Sequence, residues 1–197
     1  MQKTNKILLI AGGVLLLGTL FHQRKNVKKG VMGLVEKTKL QNPSEAEIKN
    51  AFAKLAENYG LPIAKAVEKI FRLETRHFAS SQFRVAFSAG MLKFGQLMPY
   101  GWGRQAKLWT LHPDLAPDGT YTVYVKVLPD GRGVISSTPK EGYKKYVYLT
   151  FPSIYAGLAA VAENIKSRGN VESWNSNDPK EQKVYLSRLN TISNRYV

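Results

Sequence analysis

The sequence predicts an α+β protein that is mainly α. Two observations lead. Apolar residues recur at helical spacing after Ser44, Pro62, Ser153 and Asp178, each a helix-opening residue type. Between about 120 and 151 the period drops to two, and Val, Tyr and Thr dominate. A third observation sets the scale: the 197 residues are 44% apolar and 22% charged. That is a globular balance, with enough chain for one core plus an appendage.

The appendage is ILLIAGGVLLLGTLF, residues 7–21, preceded by Lys3 and Lys6 and followed by His22, Arg24 and Lys25. As a helix its fifteen uncharged residues span about 22 Å, short of a hydrocarbon core of roughly 30 Å. Flanking lysines can snorkel across the difference. A secretory signal has a similar start, yet only Gly18-Thr19-Leu20 and Thr19-Leu20-Phe21 stand where a small-x-small cleavage site belongs. Residues 1–22 are therefore read as an uncleaved membrane anchor in a lipid bilayer; a cleaved signal and a buried core helix are the alternatives. Positive charge is denser after the segment than before it, which by the positive-inside rule keeps the following domain on the cytoplasmic side.

Residues 23–43 read as a basic linker and 44–197 as the folded domain. Ser44 with Glu47 matches a capping box; Ile48, Phe52 and Leu55 form the stripe, and Gly60 ends the helix. LPIAKAVEKIFRLETRHF follows, with Pro62 at a first helical position. Ser88 to Met98 predicts another short helix, ended by PYGWG. Residues 120–151 predict a β-hairpin or small sheet turning at Pro129-Asp130-Gly131. Helices return with SIYAGLAAVAENIKSRG, where Ile154, Leu158, Val161, Ala162 and Ile165 share a face, and with DPKEQKVYLSRLNTI, where Asp178 and Glu181 match a second capping box.

The net charge is +15; without the anchor 27 basic residues face 14 acidic ones, so the domain itself is basic. Anionic partners follow from that. No Gly-rich phosphate loop, helix-turn-helix signal or RNA-recognition motif is present, and nucleic acid is not the expected partner. With no cysteine, and histidines only at 22, 77 and 112, no metal-ligand spacing appears and no cofactor is expected.

One residue breaks its pattern. Ile63, Ala66, Val67, Ile70 and Phe71 form the apolar stripe of the second helix, and Glu74 lies on it, seven residues from Val67 and four from Ile70. Glu68 falls on the polar side. Glu74 also stands near the helix C-terminus, where the macrodipole disfavours negative charge. Burial and dipole both raise a carboxyl pKa, as a general acid requires. The alternative is a buried ion pair with Arg72, Arg76 or Arg84. His77 fits a hydrogen-bonding residue of a cleft.

Glu74-Thr75-Arg76-His77-Phe78-Ala79-Ser80 is similar to the catalytic segment of bacterial glucosaminidases of glycoside hydrolase family 73, members of the lysozyme-like superfamily that cut peptidoglycan. That family more often has Glu-Ser-Gly, so Thr75 and Arg76 depart from it. YLTFPSIYAGLAA, residues 148–160, resembles the family's exit from strand to helix, with its Ser and Gly-Leu pair. SNDPKEQKVYLSRLNTI resembles the segment that turns a tyrosine toward the cleft, here Tyr185. FGQLMP, residues 94–99, is similar to a segment of lytic transglycosylases whose Gln, here Gln96, lines the glycan groove.

The resemblance implies a lysozyme-like helical domain with a β-lobe at about 120–151, and peptidoglycan glycan strands as substrate. Glu74 is the implied acid. Thr75, His77, Gln96, Tyr100, Trp102 and Tyr185 are implied substrate contacts, and the cleft should be aromatic, drawing also on Trp109, Tyr143, Tyr146 and Tyr148. A second carboxylate must come from the β-lobe; Asp118 and Asp130 sit in turns, leaving Glu141 as the best candidate. The expected function is a membrane-anchored peptidoglycan glycosidase, on a bacterial inner membrane facing the periplasm or on the membrane of a phage virion. A lytic transglycosylase, which needs one acid, and a non-catalytic wall-binding protein retaining the fold are the alternatives.

Overall fold

The computed structural model describes residues 36–89, 102–129, 133–169, 171 and 178–197. The fold is α+β and mainly helical. The anchor at 7–21 lies outside the described residues; among those that are described, no helix is long and apolar enough to cross a membrane.

Helix α1 (Glu45–Tyr59) opens at the expected capping box. Ser44 Oγ accepts from Glu47 N at 3.2 Å, and Glu47 Oε2 accepts from Ser44 N at 2.6 Å. Gly60, at φ 84°, stops it in a conformation that disfavours any side chain. Helix α2 (Leu61–Glu74) follows at once, with Pro62 in its first turn. A third helix, α3 (Ser81–Ala86), was not foreseen. Ser80 caps it by accepting from Phe83 N at 3.1 Å, and it ends at Phe87, in the left-handed region at φ 47°. The expected helix from Ser88 does not start there: Ser88 and Ala89 are non-helical, and 90–98 lie outside the described residues. Helix α4 (Trp102–Leu111) was also missed, because the glycines of PYGWG read as breakers. A single 3-10 turn (Pro113–Leu115) leads to the sheet.

The sheet has three antiparallel strands in the order β2-β1-β3: β1 (Gly119–Val127), β2 (Gly133–Ser136) and β3 (Lys144–Thr150). Tyr121 pairs with Tyr148 and Val123 with Tyr146, and this face packs on Val85 and Ala86 of α3. The far end of the sheet runs out from the core, where Val127 and Ile135 are exposed. Residues 36–42 lie along the domain. Glu36 bridges to Thr120, Lys37 pairs with Asp118, and Gln41 N donates to Arg84 O at 2.7 Å. The ordered edge of the domain therefore begins upstream of Ser44.

Helix α5 (Ile154–Arg168), capped by Ser153, is the hub, packed against α1, α2, α4 and the 3-10 turn. The expected stripe is buried, and so are Ala156, Gly157, Ala159, Ala160 and Asn164, so this helix is enclosed on more than one face. A Cβ on Gly157 would sit 1.8 Å from the Phe87 carbonyl oxygen, which only glycine avoids. Helix α6 (Pro179–Asn190) closes the domain against α2; Asp178 caps it by accepting from Lys180 N at 2.8 Å.

Candidate active site

Glu74 is the last residue of α2, where the helix leaves carbonyls unpaired. The chain then turns through three consecutive non-glycine residues in the left-handed region: Arg76 at φ 51°, His77 at 56° and Phe78 at 71°. Each costs roughly 1–2 kcal/mol relative to ordinary backbone. Phe78 shows what offsets that cost. Its ring lies 5.1 Å from Phe83, 5.7 Å from Tyr196, 6.0 Å from Phe52 and 6.4 Å from Phe71. Four aromatic pairs at about 0.5–1.5 kcal/mol each, with burial of the ring itself, are of the same size as the strain. The aromatic anchor thus fixes the turn, and the turn fixes the end of α2 that carries Glu74.

The polar residues of the turn divide accordingly. Thr75 is buried; its hydroxyl donates to Phe71 O and accepts from Phe78 N at 3.0 Å. Thr75, expected as a substrate contact, faces inward and braces the turn. His77 is exposed, and its Nδ1 accepts from Arg72 Nε at 3.0 Å. Arg72 also donates to Ser193 O, and Arg84 holds Gln41 O and Asn42, so neither serves as partner to Glu74.

The groups that act on Glu74 come from α6. Burial pushes its carboxyl above the usual range; the Tyr185 hydroxyl and the Arg188 guanidinium oppose that shift without cancelling it. Tyr185 is 1% exposed, and its own phenol is pushed upward by burial first and by Glu74 second. The hydroxyl faces the carboxyl without closing a hydrogen bond of ordinary geometry. Tyr185 and Arg188 also line a hollow of about 270 Å³ with Lys180, Glu181 and Val184. A larger groove, about 810 Å³, lies between α1, α4 and α5 and shares none of these residues.

Glu68 requires a correction. It was expected on the polar face, yet it is fully buried. Its carboxylate accepts from Arg195 N at 2.6 Å, Tyr196 N at 3.2 Å, Val197 N at 3.3 Å and Asn194 Nδ2 at 3.1 Å, with Arg72 at 3.9 Å. Residues 194–197 cover that side of α2, and their amides need an acceptor.

The proposed second acid is not beside Glu74. Glu141 is exposed in the turn before β3, at the end of the sheet remote from α3. Asp118 holds Thr150 Oγ1 at 3.0 Å and Lys37. Asp130, Gln96 and Tyr100 lie outside the described residues, as does the side chain of Trp102, the first residue of α4. Of the other aromatics, Trp109 is buried against Phe151, and Tyr146 and Tyr148 stack 6.5 Å apart on the sheet. Among the described residues no cluster of His, Cys, Asp or Glu could hold a metal ion. Compared with known proteins, the chain matches no family model, no curated protein and no solved structure.

Proposed function

We propose that the protein is a peptidoglycan-cleaving glycosidase with a lysozyme-like domain, in which Glu74 is the general acid. One observation carries the reading: Glu74 is a half-buried carboxyl at a helix C-terminus, its pKa raised by burial, and faced by the buried Tyr185 hydroxyl. A carboxylic acid that keeps its proton above the usual range can deliver it to a glycosidic oxygen. Two structural details support the resemblance behind this reading. The family's Glu-Ser-Gly would put its glycine where Arg76 adopts a left-handed backbone. The glycine of the Gly-Leu pair, Gly157, stands where no side chain fits.

The placement of the acids favours the single-carboxylate variant, that of a lytic transglycosylase. Glu141 lies at the end of the sheet remote from α3, and Asp118 is committed to Thr150 and Lys37. Glu74 protonates the leaving glycosidic oxygen as the C1–O bond breaks and its electron pair goes to that oxygen. The resulting carboxylate removes the proton of the sugar's own C6 hydroxyl as that oxygen bonds to C1. The acid is regenerated and a 1,6-anhydro sugar forms. Water in place of the C6 hydroxyl gives the hydrolysed end instead. The segment 7–21 would tether the enzyme to a bilayer, and the basic surface would favour the anionic wall.

The test is turbidity loss of purified peptidoglycan with the wild-type chain and with Glu74→Gln. Lysis by the first and none by the second is expected. Equal lysis by both removes Glu74 from the reaction, and no lysis by the wild type with retained wall binding favours the non-catalytic alternative. Mass spectrometry of the released fragments separates anhydro ends, lighter by one water, from hydrolysed ones.

A further inference from the structure

The larger groove, about 810 Å³, is in the size range of small-ligand sites and is built from three helices and the 3-10 turn. Three lysines stand on its walls, Lys54 from α1, Lys107 from α4 and Lys166 from α5, against two carboxylates, Asp114 and Glu163. Those charges are not equally committed. Glu163 lies 3.9 Å from Lys166 and also engages the Tyr59 hydroxyl, so this pair largely cancels within its own wall. Lys54 and Lys107 then outnumber Asp114, and the imidazole of His112 adds a further polar group at the rim.

Two of the ammonium groups are held in place by aromatic faces. Lys54 Nζ sits 4.4 Å from the centroid of Tyr155, and Lys166 Nζ 5.3 Å from that of Tyr59. A lysine resting on a ring has less freedom to lose when an anion arrives. The same contacts cover one face of each ring and so reduce the aromatic surface open to a nucleobase. Among the described lining residues the cations are lysines, and ammonium point charges suit phosphate oxygens.

We propose that this groove binds a phosphodiester-linked polyol or sugar chain, with Lys54 and Lys107 contacting successive phosphates. The site is independent of Glu74 and shares no residue with its surroundings. It would give the protein a second hold on an anionic polymer, apart from any glycan cleavage.

The experiment measures binding of fluorescent poly(glycerol phosphate) to the full chain in detergent, with dextran, polygalacturonate and oligodeoxythymidylate as comparators. Poly(glycerol phosphate) should bind most tightly. Lys54→Gln with Lys107→Gln should weaken it by about tenfold and flatten the dependence of log K on log salt by roughly one to two units. Lys54→Arg with Lys107→Arg should retain most of the affinity, because the charge is kept. Lys39→Gln with Lys49→Gln, which removes two exposed charges outside the groove, should change affinity little. The proposal is overturned if the groove variant binds as the wild type does, if both glutamine pairs lose affinity equally, or if any comparator binds as tightly as poly(glycerol phosphate).

Discussion

Replacing Glu68 by Gln tests whether the buried carboxylate of α2 holds the residues that follow α6. The amide can keep one oxygen where Oε1 accepts from Arg195 N at 2.6 Å and Tyr196 N at 3.2 Å. Its NH2 must then occupy the Oε2 position, where Val197 N at 3.3 Å and Asn194 Nδ2 at 3.1 Å both point donors. Two donors lose their acceptor and meet another donor. At about 1.5 kcal/mol for each such loss, the change should destabilise the domain by about 3 kcal/mol. For a chain of this size that is a fall of roughly 6–12 °C in the unfolding midpoint. Circular dichroism would read the midpoint, and hydrogen exchange should show lost protection at residues 195–197. Tyr196 stacks on Phe52 at 6.0 Å and meets Phe78 at 5.7 Å, so loosening should also reach the aromatic anchor of the Glu74 turn. A midpoint within 1 °C of wild type, with amide protection intact, would refute the reasoning.

Gly157→Ala forces a Cβ to within 1.8 Å of the Phe87 carbonyl oxygen between two buried segments, and should cost about 3 kcal/mol or more by chemical denaturation; a loss below 1 kcal/mol would mean that α5 can slide. Arg76→Gly relieves one left-handed residue at a smaller cost in chain entropy and should stabilise the domain by about 0.5–1 kcal/mol, read in the same titration; destabilisation would show that the arginine side chain has a role of its own. The raised pKa of Glu74 means that the native state keeps a proton the unfolded chain has already released, so stability falls as pH rises from the ordinary Glu value through the native one. Glu74→Gln should remove that fall, and parallel pH profiles for the two proteins would contradict it. Tyr185→Phe and Arg188→Gln each delete a group that lowers the Glu74 pKa, so the alkaline limb of the lytic rate should move to higher pH in both; a shift to lower pH would exclude Glu74 as the acid.

What the sequence disclosed was local. Ser44, Ser153 and Asp178 cap their helices through amides two or three residues away, and a short window contains the whole interaction. The alternation of β1 and β3 is equally local. Helix α3 escaped because it has only six residues, too few for a stripe, although Ser80 is an N-cap residue type. Helix α4 escaped because Gly101 and Gly103 were weighed as breakers, while packing against α5 decides that stretch. The approach of Tyr185 to Glu74 crosses more than a hundred residues, and no period in the chain reports it.

Glu68 and Glu74 show why the site was only half legible. They stand six positions apart on one helix, about 120° apart around its axis, and helical phase assigned one to water and the other to the core. Phase locates a side chain on the helix but does not say what covers that side. Residues 194–197 cover Glu68 and surround its carboxylate with four donors. A carboxylate so saturated is held as a structural acceptor and has no free oxygen to offer a substrate. Glu74 is half-buried, with the Tyr185 hydroxyl facing it and the Arg188 guanidinium nearby, and burial raises its pKa. Both carboxyls are withdrawn from water, Glu68 fully and Glu74 in part, and donor count separates them. A glutamate that many amides hold serves the fold, whereas one whose pKa burial raises, with few donors around it, is the candidate proton donor.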